Sequence, residues 1–381
     1  MRSFNTRQVF RLIHLFIGLT SGLIVFIEAV TGAIWVFNEE ISSLLKEDIT
    51  VEMKDAPKLS PTEAVAFAKN ELPNRAVHGI LYSNEAKPIE VIFYEAEPEF
   101  YYSIYLDPYS GKVIDRKNHK DSFFSFVLDG HLHLWLPPKI GTPIVSYGTL
   151  LFLFSIITGI VLWWPKNRKG RRQRLKLDWK PSTRWRRKNF DLHTVLGFYV
   201  SALALVFAIT GLVMALNWFY VLFYSSIGGD KETAFIIPKN TSEKIPSENQ
   251  LKPIDQLPDF LEKQYPTAKD YEIHFPYADS VSIYVEVSYQ DGIYSDADYL
   301  FFDQYTLEDV STPSVYGKYQ DASFQDHLIR MNYDIHVGAI LGLPTKVLAF
   351  LTSLLIATLP ITGLVIYLGR KKKQKQRIST Y

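Results

Sequence analysis

"HLFIGLTSGLIVFIEAVTGAIWVF" (residues 14–37) and "HTVLGFYVSALALVFAITGLVMAL" (residues 193–216) are two versions of one segment. In each, a histidine is followed four residues later by glycine (Gly18, Gly197) and seventeen later by Thr-Gly (Thr31-Gly32, Thr210-Gly211). A single offset of 179 residues maps all of these positions, so the chain is read as one unit built twice. Both segments are apolar and long enough to cross a hydrocarbon core, which takes about 20 residues at helical rise. Two more stretches qualify, 144–164 and 347–368, and they too agree with each other, in "IITGIVLWW" and "PITGLVIYL".

Four apolar spans, roughly 12–37, 144–164, 193–216 and 347–368, make this an α-helical membrane protein. The formal net charge of +1 hides a strong asymmetry between the connecting pieces. Residues 165–188 carry twelve Lys/Arg against Asp178 alone, and the tail carries six Lys/Arg from Arg370 to Arg377. Residues 38–130 and 225–335 are acidic, with seventeen Asp/Glu against ten Lys/Arg and twenty against eight. By the positive-inside rule the basic pieces and both termini stay cytoplasmic, and the two acidic segments are exported. Basic residues beside a span are accounted for by topology and anionic headgroups, so a nucleic-acid role is set aside. The first span is too long for a signal-peptide core and lacks a small-residue cleavage site, which reads as an uncleaved span. With no cysteine in the chain, disulfides, thiolate zinc and cysteine-held iron–sulfur clusters are excluded.

The expected layout begins with residues 1–40 (N-terminal piece and first span), 41–130 (exported domain), 131–164 (exported lead-in and second span) and 165–189 (basic loop). It repeats with 190–224 (third span), 225–326 (second exported domain), 327–369 (lead-in and fourth span) and 370–381 (basic tail). Each exported domain reads as small and α+β. Helical patterns "SPTEAVAFAKNEL" and "IDQLPDFLEKQY" precede alternating strands "IEVIFYEA" and "VSIYVEVSY" and turns at "YLDPYSGKVI" and "FFDQYTLEDV". The two halves are expected to be related by a pseudo-twofold axis along the membrane normal.

This topology gives the histidines depth. His14 and His193 fall at the cytoplasmic starts of spans one and three, while His131, His133 and His336 fall just before the exported starts of spans two and four. One pair of imidazoles is therefore expected on each side: His14 with His193, and His336 with His131 or His133. Two imidazoles on neighbouring helices suit a six-coordinate haem b, with the small residues Gly18, Gly22, Gly32, Gly159, Gly197, Gly211 and Gly363 leaving room for helices or a macrocycle to approach closely. Two ligands are few for zinc or copper. In a helix His131 and His133 point to nearly opposite sides, so only one faces the axis. A lone histidine at a membrane end is most often an interfacial polar residue, and the ligand reading rests on the repeated register. His78, His119 and His274 read as ordinary histidines of the exported domains, and His327 stays open. Glu28, the acid in mid-span, is either a site of proton coupling or a protonated structural carboxyl bonded to nearby hydroxyls.

The chain resembles the PepSY-associated transmembrane family of iron-regulated membrane proteins, some of which are siderophore-iron reductases. The likeness is carried by "HLFIGLTSGLIVFIEAVTG", "HLHLWLPPKIG" followed by "TGIVLWWPK", "RRKNFDLHTVLGFY", and most specifically "MNYDIHVGAILGLP" with "LPITG". It implies PepSY-like exported domains, two haem b groups and electron passage outward to ferric siderophores in the periplasm, at a bacterial inner membrane. Carried over by motif, the ligands are His14, His193 and His336, with His131 favoured by His-x-x-Leu-x-Leu-Pro and His133 the alternative. Glu28 stands where the family pattern has an apolar residue, so no role is carried to it.

No Gly-rich dinucleotide fingerprint appears, and the cytoplasmic pieces are too short for a nicotinamide or flavin domain, so the electron donor is external, a quinol or a separate cytoplasmic reductase. Trp135, Trp218, Tyr220 and Tyr333 read either as a docking surface for the chelate or as interfacial aromatic residues. Two other readings compete: exported domains that bind and inhibit peptidases, with the spans as anchors, and a transporter for iron or a siderophore.

Overall fold

The structure is a computed structural model that describes residues 5–45, 49–96, 99–165, 174–242 and 253–378. Part of the basic loop (166–173), part of the second acidic segment (243–252) and the end of the tail (379–381) lie outside the described residues. The chain divides into two compact units.

One unit comprises Met1–Asn38, Phe126–Tyr220 and Ile335–Tyr381 and holds four helices long and apolar enough to span a membrane. These are Thr6–Trp35, Pro138–Trp163, Trp185–Ala215 and Leu343–Lys371. Each outruns its apolar stretch at the N-terminal end. The first starts at the Asn5 cap, whose side chain takes the Arg7 N–H, and the third begins eight residues before His193, through Arg186, Arg187 and Lys188. The centre of the bundle is built from Val25, Ile156, Val200, Ala204, Ala208 and Ile356. The small alanines on the third helix let its neighbours approach closely, as packing between membrane helices requires. Phe16 and Leu23 are 68% and 71% exposed. Such apolar faces suit hydrocarbon, where only backbone closed on itself is tolerated.

The second unit, Glu39–Ser125 with Val221–Asp334, is a seven-stranded antiparallel sheet. Its strands are β1 (Gly79–Ser83), β2 (Ile89–Ala96), β3 (Glu99–Leu106), β4 (Val113–Asn118), β5 (Asp270–His274), β6 (Ile283–Ser288) and β7 (Asp298–Phe302), in the order β4-β3-β2-β1-β5-β6-β7. The two expected α+β segments thus share one sheet, joined where β1 pairs with β5 from Gly79↔His274 to Ser83↔Asp270. That pairing covers two edges that would otherwise present bare N–H and C=O groups. Alternation does the rest. Ile80, Tyr82, Val91, Phe93, Ile104, Ile273, Val285 and Leu300 face one core with the helices Pro61–Lys69 and Leu257–Gln264. Pro61–Lys69 starts with a capping box between Ser60 and Glu63. The turn at "YLDPYSGKVI" closes on Asp107, whose side chain takes the Tyr109 and Ser110 N–H groups, and Asp303 does the same for Tyr305 and Thr306.

Candidate histidine pairs in the membrane unit

Each of four histidines reaches from its own segment to a Thr-Gly step on a neighbouring span. His14 Nδ1 lies 3.0 Å from Thr158 Oγ1, His193 Nδ1 3.0 Å from Thr362 Oγ1, His131 Nδ1 3.2 Å from Thr31 Oγ1, and His336 Nδ1 2.8 Å from Thr210 Oγ1. The glycine after each threonine gives the ring its space. A Cβ at Gly159, Gly363, Gly32 or Gly211 would stand 3.2, 3.3, 3.1 or 3.2 Å from the Cε1 of the histidine above it.

The hydrogen bonds fix the tautomer. All four threonines donate their hydroxyl proton to a carbonyl of their own helix: Thr31 to Ile27, Thr158 to Phe154, Thr210 to Val206 and Thr362 to Thr358. Their oxygens are then left as acceptors. Two of the Nδ1 atoms also meet a backbone carbonyl, Ser155 for His14 at 3.1 Å and Glu28 for His131 at 3.0 Å. Oxygens left only to accept put the proton on Nδ1 and leave Nε2 its lone pair, the form that ligates a metal.

The rings come together in twos. His14 and His193 have centroids 6.3 Å apart, and His131 and His336 6.2 Å apart. Two metal–nitrogen bonds of about 2 Å, with the half-width of each ring, need roughly that span. Among the described residues no three His, Asp or Glu side chains gather as a metal cluster. Two imidazoles with no third protein donor suit a metal that brings its own equatorial ligands, as a porphyrin does.

His133 is placed differently: its Nδ1 lies 2.9 Å from Thr142 Oγ1, nine residues along the same segment. Glu28 receives the Thr149 hydroxyl on its Oε1 at 2.6 Å while its backbone carbonyl faces His131. Of the aromatic residues, Trp135 stacks on Phe126 at 5.2 Å and Trp218 packs beside Phe219 in the helix Asn217–Ser226, which also carries Tyr220. Tyr333 packs against Tyr294 in the sheet unit. His327 packs on Tyr319 with centroids 4.4 Å apart.

His78, His119 and His274 are not scattered. On the sheet face opposite the apolar core, cross-strand register lines up Glu90, Leu81, Glu272 and Glu286 in one row. His274 lies 3.3 Å from the Glu272 carboxylate and its ring 4.9 Å from that of His78, while His119 lies 3.7 Å from Glu90. Burial, with Glu286 and Glu90 close by, pushes the Glu272 carboxyl up to about 8, and burial beside His78 pushes His274 down to about 3. Sequence reading passed over this cluster, although the alternating acids of "IEVIFYEA", "YEIH" and "YVEV" were its signal. It also missed the threonines' role, whose signal was the Thr-Gly step present in all four spans.

A family model describing the PepSY-associated TM region matches residues 11–370. The chain belongs to the PepSY-associated TM family. All four histidine–threonine contacts of this family member fall inside the matched range, from His14 to Thr362. No curated protein matches the chain.

Proposed function

We propose that this PepSY-associated membrane protein is an electron-transfer protein of a bacterial inner membrane that reduces ferric chelates, siderophore-bound iron above all, on the periplasmic side. His14 and His193 would hold one haem b, and His131 and His336 a second; without cysteine, neither can be attached by thioether bonds. When bound, such a group supplies a one-electron Fe(III)/Fe(II) couple. The observation that carries this reading is that all four imidazoles have Nδ1 against a threonine oxygen whose own proton goes to its helix, which leaves Nε2 as the free base.

The chain's own residues divide the work. The four threonines hold each ring's orientation and raise the basicity of its ligating nitrogen. Val25, Val200, Ala204 and Ala208, along the first and third spans between the levels of the two pairs, keep that stretch apolar and dry. Each electron taken from an external quinol or cytoplasmic reductase converts one chelated Fe(III) to Fe(II), which hard-oxygen chelators hold far less tightly. Two halves related by a pseudo-twofold axis, with both termini cytoplasmic, account for one pair near each face.

The test is optical. Oxidised and dithionite-reduced spectra of the purified protein, with a haem-to-protein ratio, are recorded for wild type, His14→Ala and His336→Ala. Two low-spin b haems in the wild type, with one lost in each variant, and re-oxidation of the reduced protein by a ferric hydroxamate, are the expected results. A colourless protein that gains no spectrum on haem addition would overturn the reading and bring forward peptidase binding or transport.

A further inference from the structure

The repeat is not perfect where His193 sits. Residues 13–17 of the first span are ordinary α-helix, whereas the corresponding Leu192–Leu196 form a π-helical turn between the α-helical stretches Trp185–Asp191 and Gly197–Ala215. The spacing from histidine to Thr-Gly is seventeen residues in both spans, so no insertion in the sequence creates the wider turn. A π turn is uncommon, and one that persists needs neighbours that make the α register worse.

Those neighbours lie just before it. Asn189 is 3% exposed, and its amide Nδ2 donates to the backbone carbonyl of Thr362 at 3.0 Å. Asp191 is 5% exposed and takes Arg187 Nε at 2.8 Å and Trp179 Nε1 at 3.3 Å. Collapse of the turn to α-helix would rotate everything before it by about 100° and shift it by about 1.5 Å. Asn189 would then leave the Thr362 carbonyl on the fourth span and strand a buried donor, whereas Asp191 would carry Arg187, on its own helix, with it. At the equivalent places the first span has Phe10 and Leu12, which can latch nothing of this kind.

Thr362 joins the two observations, because its hydroxyl meets His193 Nδ1 and its carbonyl takes the Asn189 amide. The imidazole and the latch of the turn that carries it are thus fixed to the same residue of the fourth span. We propose that Asn189 is a positioning residue that holds the π turn against Thr362, sets the orientation of the His193 ring and so distinguishes the His14–His193 centre from the His131–His336 centre. This rests on the two-haem reading given above and names what makes one of its sites unlike the other.

The experiment compares wild type and Asn189→Leu, which keeps the branched shape and removes the donor, in the full-length detergent-purified protein. Low-spin electron paramagnetic resonance signals and a potentiometric titration follow both centres, the His14–His193 signal being the one that disappears in His14→Ala. The expected result is a shift or loss of that signal and of its midpoint potential, with the other centre unmoved as an internal control of folding. Two unmoved centres, or two centres disturbed alike, would overturn the proposal, the second outcome marking a merely structural residue. If Asn189→Leu does not accumulate, Asn189→Asp, of the same shape, is read by the same criteria. A wild type without haem would sink the two-haem reading and this inference with it, an outcome visible before any Asn189 variant is made.

Discussion

The imidazoles of the membrane unit and those of the sheet unit are the same side chain in opposite circumstances. In the membrane unit each of the four paired rings meets a threonine hydroxyl, and a second imidazole lies 6.2 or 6.3 Å away. On the sheet, His274 and His119 lie within 4 Å of carboxylates, among tyrosines such as Tyr284, which stacks on His274 at 4.4 Å, and Tyr101, which stacks on His119 at 4.0 Å. The first setting leaves a lone pair on Nε2, as the proposed haem ligation requires. The second lets acids and bases share protons. Close histidines occur in both units, and the partners of their ring nitrogens are what differ.

The largest expected effect breaks the comparison at a single step. His131→Ala should abolish one of the two low-spin centres, whereas His133→Ala, two residues on and bonded to Thr142, should keep both; haem stoichiometry decides. Next, Thr31→Val should weaken haem retention at the His131–His336 site by about tenfold or more, the usual range for removing the group that orients a ligand. Haem transfer to apomyoglobin measures it, and an unchanged rate would remove the threonine from the account.

On the sheet the effect is on stability and has a definite sign. The Glu272 carboxyl, raised from its ordinary value of 4.5 to about 8, keeps its proton in the fold while the unfolded chain has lost it. Stability from this group is full below about pH 4.5 and declines as pH rises toward 8. Glu272→Gln should therefore unfold at a higher temperature than wild type at pH 8, with the gap narrowing by pH 5, as thermal scans in detergent would show. Smallest of all, His274→Ala should leave haem content and spectra unaltered; a lost centre would mean that the sheet histidines had been misjudged.

The four spans were legible because hydrocarbon demands a long apolar run, and their charged N-terminal extensions were not, because hydropathy falls silent at Arg186–Lys188 although the helix continues. His14, His193 and His336 could be picked out from repetition alone. What repetition could not show was the wider turn at Leu192–Leu196, since the two sequences keep the same spacing and the difference lies in what Asn189 touches. The joint sheet was hidden for another reason. β1 and β5 each look like a short strand, and nothing local says that their partner is a strand some 190 residues away.

That β1–β5 seam has a consequence for how the protein is made. At about 5–20 residues per second, the ribosome needs about ten to forty seconds to travel from Ser83 to Asp270. For that interval β1 is made but lacks its β5 neighbour, and it offers an open edge to whatever is at hand. The half-made chain is thus at its most vulnerable to mispairing and proteolysis in the middle of its own synthesis, and a variant that slows translation between the two strands should lower yield without altering a single contact of the finished fold.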